Sequence, residues 1–394
     1  MLRVFGSLSL IFIVLIPCRI MAVPIEDIVL ESDTIAEAIT ANQKRPGFFK
    51  RFFDYFGKAN KPDTTKRFDI SFIGGPSYSQ ESSFGIGLVA AGIYKKNPKD
   101  TTEFAGQVNL YGKISINGNF KIGFDGTHYF GSRFNQLIYD INVGFANDKF
   151  WGIGYDMDIN NDNETDYKRM NFKVDLSYVH GFPNNVFIGP FLLIDYLKAR
   201  HILKPELWDG QPAHTFTDLI GLRLEYDSRD YKYNAAKGLY LSLKQGFAPR
   251  FIGNKYAFSM TEIDFRAYIP VWKGGILAGI AHLRWTYGDT PWGQMSKIGG
   301  GYTMRGYWEG RYNDKCVSDI TLELRQHVWK RNGIVLWAGI GEVYGKPSGI
   351  FKGKPLPNYG IGYRWEFKKR VNVRVDYGIG KGESAIVFNI NEAF

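Results

Sequence analysis

The chain has 394 residues, with 49 lysines and arginines against 39 aspartates and glutamates, a net charge of +10 and 16% aromatic residues. Its 45 glycines and mean hydropathy of -0.23 complete a mixture that is unusual for a globular enzyme. It suits a transmembrane β-barrel, with an apolar lipid face and a polar lumen. The positive balance fits a basic lumen, anionic lipid headgroups or a nucleic acid, and the export signal at the N-terminus argues against the last.

That signal begins with Arg3, continues through an apolar run over residues 4–16, and ends in a small-residue site at Ile20-Met21-Ala22. The run is too short for a spanning helix. A lipid anchor on Cys18 is disfavoured because Ile16 and Pro17 precede it where small residues are needed. Cleavage after Ala22 removes Cys18 and leaves Cys316 alone, so no intramolecular disulfide forms. Beyond residue 22 there is no run of about 20 apolar residues, so no transmembrane helix is expected.

Residues 23–66 read as a periplasmic or interfacial helical segment. Ile28, Ile35 and Ile39 recur at helical spacing, and Phe48, Phe49, Phe52, Phe53 and Phe56 then form a stripe beside Lys50, Arg51 and Lys58. Such a short amphipathic helix could lie in a membrane interface or pack on or inside a barrel, and the pattern suits both.

From Arg67 the period changes to two, and residues 67–394 read as an outer-membrane barrel. Met170, Phe172, Val174, Leu176 and Tyr178 alternate with Asn171, Lys173, Asp175 and Ser177. The stretches 104–116 and 371–379 repeat the pattern, as strands with one apolar face do. Short connectors such as Asn117-Gly118, Asn147-Asp148-Lys149 and Arg331-Asn332-Gly333 largely take turns with long polar ones, including 95–103 and 289–315. These read as periplasmic turns and external loops. The count is sixteen antiparallel strands, starting near Ser83 and ending near Asn391, with AIVFNINEAF as the last strand. Even parity puts both barrel ends on the periplasmic side.

One connector stands apart. Residues 299–315, GGGYTMRGYWEGRYNDK, follow the eleventh strand and match neither strand nor helix. Glycine, tyrosine, tryptophan and arginine at this density suit a placed functional loop, although composition alone also allows a mobile surface loop.

The segment Met304-Arg305-Gly306-Tyr307 within it resembles the [VI]RG[FY] motif of the bacterial outer-membrane assembly and translocation superfamily, the BamA/TamA-like surface-antigen barrels. Other landmarks follow in order. Tyr226-Asp227-Ser228-Arg229-Asp230 with Lys237-Gly238 resembles the D-x-R-D…G turn, and Glu323-Leu324-Arg325 the strand after the loop. The segments 360–365 and 374–378 resemble the family's G-x-G…R-x-D-x-G ending. The resemblance implies a sixteen-stranded barrel whose loop folds into the lumen, with its arginine meeting acidic side chains on the inner wall.

Two departures temper what is carried over. Only about 44 residues separate Ala22 from Arg67, too few for a POTRA domain. In WAGIGEVYG, Gly339 stands where the family's aspartate would fall, and Glu342 has the opposite parity.

An arginine drawn into a lumen needs a carboxylate. Alternation puts Glu323, Asp376 and Asp319 on the inner face, with Glu323 the first expected partner of Arg305 and Asp376 the second. The competing reading is that all three are ordinary solvated lumen charges. His327, two residues from Arg325, reads as a lumen residue.

The six histidines lack zinc-ligand spacing, and neither a nucleophile elbow nor a P-loop occurs. No catalytic, metal or cofactor site is expected, nor an enzyme. The resemblance implies insertion or translocation of client proteins at the bacterial outer membrane, with lipid, unfolded barrel proteins or other envelope subunits as partners. The alternative is a passive channel or an accessory barrel of an envelope complex.

Overall fold

The computed structural model describes residues 67–95, 105–131, 134–368 and 370–394. The signal segment and the stripe of Phe48, Phe49, Phe52, Phe53 and Phe56 lie outside the described residues.

The first eleven strands are β1 (Phe68–Ser79), β2 (Ser83–Tyr94), β3 (Gly106–Ser115), β4 (Phe120–Tyr129), β5 (Asn135–Phe150), β6 (Thr165–Phe182), β7 (Val186–Arg200), β8 (His214–Asp227), β9 (Gly238–Ala248), β10 (Phe258–Trp272) and β11 (Gly275–Gly288). A two-residue ribbon, β12 (Ser296–Lys297) with β13 (Asn313–Asp314), interrupts the order. The last five are β14 (Cys316–Trp329), β15 (Asn332–Tyr344), β16 (Leu356–Lys368), β17 (Val371–Gly380) and β18 (Glu383–Ile390). Sixteen of these close an antiparallel barrel in sequence order, with β11 beside β14 and β18 beside β1.

Side chains alternate across this wall. Leu110 and Ile114 of β3 are exposed on the outside, while Asn109 and Tyr111 bond within the lumen to Asp125 and Asp140 at 2.7 Å. Phe72, Ile86, Leu322 and Ile361 continue the outer apolar surface. Covering each such residue is worth roughly 1.5–3 kcal/mol, so the surface belongs against acyl chains. Closure pairs the backbone groups that a bilayer could not hydrate. Among the described residues no helix is long and apolar enough to cross a membrane.

The strand total agrees with the alternation count, but two of its boundaries do not. The first strand is β1, ahead of Ser83, where Gly74-Gly75-Pro76 imitates a turn yet stays paired with β2. Conversely, Asn147-Asp148-Lys149 lies inside β5. Asp148 faces the lumen, where it pairs with Arg169 at 3.3 Å, and a polar residue is ordinary in that position. The missed strand and the extra one cancelled. The shift also means that Asn117-Gly118, taken as a turn of the opposite side, shares its rim with loop 289–315.

The end of the chain departs as well. β18 stops at Ile390, and Asn391 adopts φ 70, in the left-handed region. Glu392, Ala393 and Phe394 then turn inward and are buried. Phe394 joins Ala235, Tyr268, Ala278 and Ile280 in an apolar cluster.

Candidate functional site

Loop 289–315 leaves β11 on the rim opposite the chain's end, forms the β12–β13 ribbon and drops into the lumen. Met304 lies in the left-handed region at φ 44, a costly conformation for a side-chain-bearing residue. Its side chain is buried with Ile298, Tyr312, Val317, Val343 and Leu356, so the loop tip has a core of its own.

Arg305 is 1% exposed. Its Nη2 donates to Glu323 Oε2 on β14, and its Nη1 donates to Asp376 Oδ2 on β17 at 2.7 Å. The guanidinium also lies 3.8 Å from the centre of the Trp337 ring on β15. One side chain thus ties three strands, as a planar fork with a stackable face allows.

The carboxylates are shared. Arg325 Nε donates to Glu323 at 2.7 Å, Arg374 Nη1 to Asp376 at 2.9 Å and Arg364 Nη1 to Asp376 at 2.5 Å. Arg364 Nε reaches Glu392 of the tail at 2.7 Å, and Arg325 Nη2 reaches the Phe394 carbonyl oxygen at 3.0 Å. Four guanidiniums therefore interlock with Glu323, Asp376 and Glu392, so each buried charge has a counter-ion.

The motif's neighbours are fitted too. A Cβ on Gly306 would stand 2.7 Å from the Gly378 carbonyl carbon, and Gly306 has φ 116, so only glycine lets the loop backbone touch β17. Tyr307 OH donates to the Pro357 carbonyl at 2.6 Å and accepts from Lys381 N at 2.7 Å. Asn358 Nδ2 donates to the Arg305 carbonyl, and Arg374 Nη2 to that of Gly301 at 2.7 Å.

Asp319 is inward-facing but is not a partner of Arg305: it lies two inward positions nearer the loop rim than Glu323 and pairs with His282 Nδ1 at 3.0 Å. His327 is exposed at the β14–β15 turn, where its Nε2 lies 2.7 Å from the Lys330 carbonyl oxygen. Glu342 does have outward parity, and accepts from the amides of Phe351 and Gly353 in the following loop at 2.7 and 3.1 Å. Trp337 and Glu392 were given no role in the sequence, and Arg364 and Arg374 entered only as parts of the 360–365 and 374–378 segments, without a partner. Only the inward parity of Arg364 and Arg374, beside Asp376 in adjacent strands, could have signalled them.

Beyond the arginine cluster the loop crosses the junction of β1 and β18. Trp308 N donates to Glu383 on β18 at 3.0 Å, and Arg311 pairs with the same carboxylate at 3.1 Å. The next amide, Glu309 N, donates to Glu81 in the β1–β2 turn at 3.1 Å. β1 and β2 are in register along their whole length, whereas β1 and β18 share the single registered pair Tyr78–Phe388.

On the other rim, the β8–β9 turn is ordered by its own acids. Asp227 holds Arg229 through two bonds of 2.9 and 2.7 Å. Asp230 accepts from Ala236 N at 2.9 Å and from Arg370 Nη2, across the rim in the β16–β17 turn, at 2.6 Å.

Residues 106–394 match the model of the Omp85 superfamily domain. Among solved structures, the chain is similar to BamA from Haemophilus ducreyi lacking POTRA domains 1–3, with 12% identity and a TM-score of 0.57 over 82% of this chain and 70% of that one. It is also similar to CdiB from Escherichia coli, with 10% identity and a TM-score of 0.54 over 82% of this chain and 63% of that one. For CdiB from Acinetobacter baumannii the values are 11% and 0.51, over 83% and 60%. The chain thus spans less than two thirds of the CdiB proteins, and at these identities the likeness is one of fold. No curated protein matches the chain. The chain belongs to the Omp85 superfamily, the assembly and translocation barrels of the bacterial outer membrane.

Proposed function

We propose that this barrel assists the insertion or translocation of client proteins by parting β1 from β18, with the inward loop as the strap across that junction. The observation that carries the reading is the contrast at the seam. One registered pair joins the two strands, and the consecutive amides of Trp308 and Glu309 reach a carboxylate on either side.

An opened seam would present unpaired backbone groups, onto which a client strand can add. The driving force is the client's own hydrogen bonding and burial in the bilayer. No bond needs to be made or broken. Withdrawal of Arg305 from Glu323 and Asp376 would free the strap.

The test is insertion of unfolded barrel clients into liposomes containing the wild type, Arg305→Ala, or the double variant Tyr78→Cys/Phe388→Cys. Directly opposed residues in an antiparallel pair are within disulfide reach. The wild type should accelerate insertion, the oxidised double variant should not, and reductant should restore it. Equal rates for the oxidised and reduced forms would sink the parting mechanism. No acceleration by the wild type would leave a passive or accessory barrel.

A further inference from the structure

The outer face of β6, β7 and β8 ends in basic residues at the loop rim. Lys168 stands directly opposite Arg200 in register, and Lys198 directly opposite His214. Lys168, Arg200 and His214 are exposed and Lys198 half-buried, and among the described residues none of the four makes an ion pair. Two carboxylates share this face. Asp166 lies one step further out than Lys168, and Asp218 sits lower, where its carbonyl accepts from Asn254 at 2.8 Å.

Like charges directly opposed across strands oppose pairing, at Cβ separations of about 4.5–5.5 Å. Among the described residues no carboxylate pairs with Lys168 or Arg200, although Asp166 shares their face, and an anion with several acceptor oxygens would bridge them and the Lys198–His214 pair at once. Strands β11, β14 and β15 on this rim do not share the feature: the outward side chains nearest it are Tyr287 on β11, Cys316 on β14 and Tyr344 on β15. The cations are a local patch.

Their height identifies the anion's carrier. On β7 the outward positions from Val186 through Ile188, Pro190, Leu192 and Ile194 to Tyr196 are apolar or aromatic, and Lys198 and Arg200 follow at once. At about 3.3 Å per residue and a tilt of roughly 40°, that run covers on the order of 25 Å, the height of an outer-membrane apolar band. The basic patch is therefore level with the headgroups of the leaflet away from the chain's end. Beneath it, on the same strands, an apolar groove of about 610 Å³ is lined by Leu176, Tyr178, Pro190, Leu192, Ile220 and Leu222.

We propose that Lys168, Lys198, Arg200 and His214 form a binding site for the phosphorylated headgroup of an outer-leaflet glycolipid of the lipid A class, whose acyl chains run down toward the groove. Cations held at an anionic lipid surface each add to affinity. The proposal does not depend on client insertion.

The experiment is native mass spectrometry of the full chain in detergent, titrated with lipid A. The variants are Lys168→Ser/Lys198→Ser/Arg200→Ser and a control losing the same charge elsewhere on the rim, Lys346→Ser/Lys352→Ser/Lys354→Ser. The first should lose lipid A affinity by about tenfold or more, on the scale of three surface cations, and the control should keep it. Lipid A stripped of its phosphates should bind the wild type about tenfold or more weakly than intact lipid A does, which tests the idea even if the triple variant folds poorly. Undiminished binding by a folded triple variant, an equal loss in the control, or equal binding of the dephosphorylated lipid would each overturn the site. Tighter binding of polyglutamate than of lipid A would assign the patch to an acidic polypeptide and overturn the lipid reading.

Discussion

Gly378 of β17 and Arg305 of the loop meet backbone to backbone: a Cβ on Gly378 would lie 2.4 Å from the Arg305 carbonyl oxygen. The arginine's reach to Glu323 and Asp376 thus depends on a missing side chain in the wall. Gly378→Ala should push the loop tip outward and destabilise the barrel by roughly 1–3 kcal/mol, the usual cost of overpacking. Gly87→Ala, whose Cβ would meet its nearest neighbour at 3.9 Å, should leave stability almost unchanged. The temperature at which folded and unfolded forms interconvert on unheated gels would compare the two.

Replacing Arg305 by alanine leaves Glu323 and Asp376 buried with one guanidinium fewer. Removing one member of a buried charge network costs about 3–5 kcal/mol, and Arg325, Arg364 and Arg374 should hold the loss to the lower end. Arg305→Lys keeps the charge but loses the fork and the stacking on Trp337, so it should fall between alanine and wild type. Protease cleavage within 299–312, followed by peptide mapping, reports the released loop directly.

Glu81 should make the seam strap sensitive to pH. Burial in the β1–β2 turn, with the Glu309 carboxylate nearby, raises its pKa above the ordinary 4.5, although the amide of Glu309 works the other way. A carboxyl raised on folding favours the folded state below its unfolded pKa, and that contribution is lost as pH rises through the folded value. Glu81→Gln keeps an acceptor for Glu309 N without a charge, so it should be the more stable form at pH 7 and match the wild type near pH 4. Thermal melts of both proteins across that interval decide it; equal differences at every pH would refute the assignment.

Asp230 should behave in the opposite sense. Burial acts against ionisation, but the Arg370 guanidinium and the amides of Ala236 and Lys237 hold its carboxyl below the usual 3.8. A lowered pKa contributes stability above the unfolded value, which disappears as pH falls through the folded one. Acid should therefore release the β8–β9 turn from Arg370, and pepsin cleavage around Tyr231 and Tyr233 should rise below pH 3.8. At neutral pH, Arg370→Gln should expose the same turn to thermolysin.

Alternation by itself determined that this chain is a barrel and that Glu323 and Asp376 face its interior; the motif's resemblance placed Arg305 there, and the strand total matched because two boundary errors cancelled. Side-chain direction in a strand follows parity, and the bilayer demands that the two faces differ in polarity. Parity says nothing about height. It could not separate Glu323 from Asp319, which lie on one face of one strand four residues apart, and only the depth of the folded loop gives the first to Arg305 and the second to His282. Nor could it tell a polar lumen residue such as Asp148 from a turn, since both are hydrophilic. The inward tail at Glu392 and Phe394, the bridge from Glu81 to Glu383, and the juxtaposed cations of β6 to β8 join residues far apart in the chain. Those pairings are set by register, shear and loop depth, which emerge only when the sheet closes on itself.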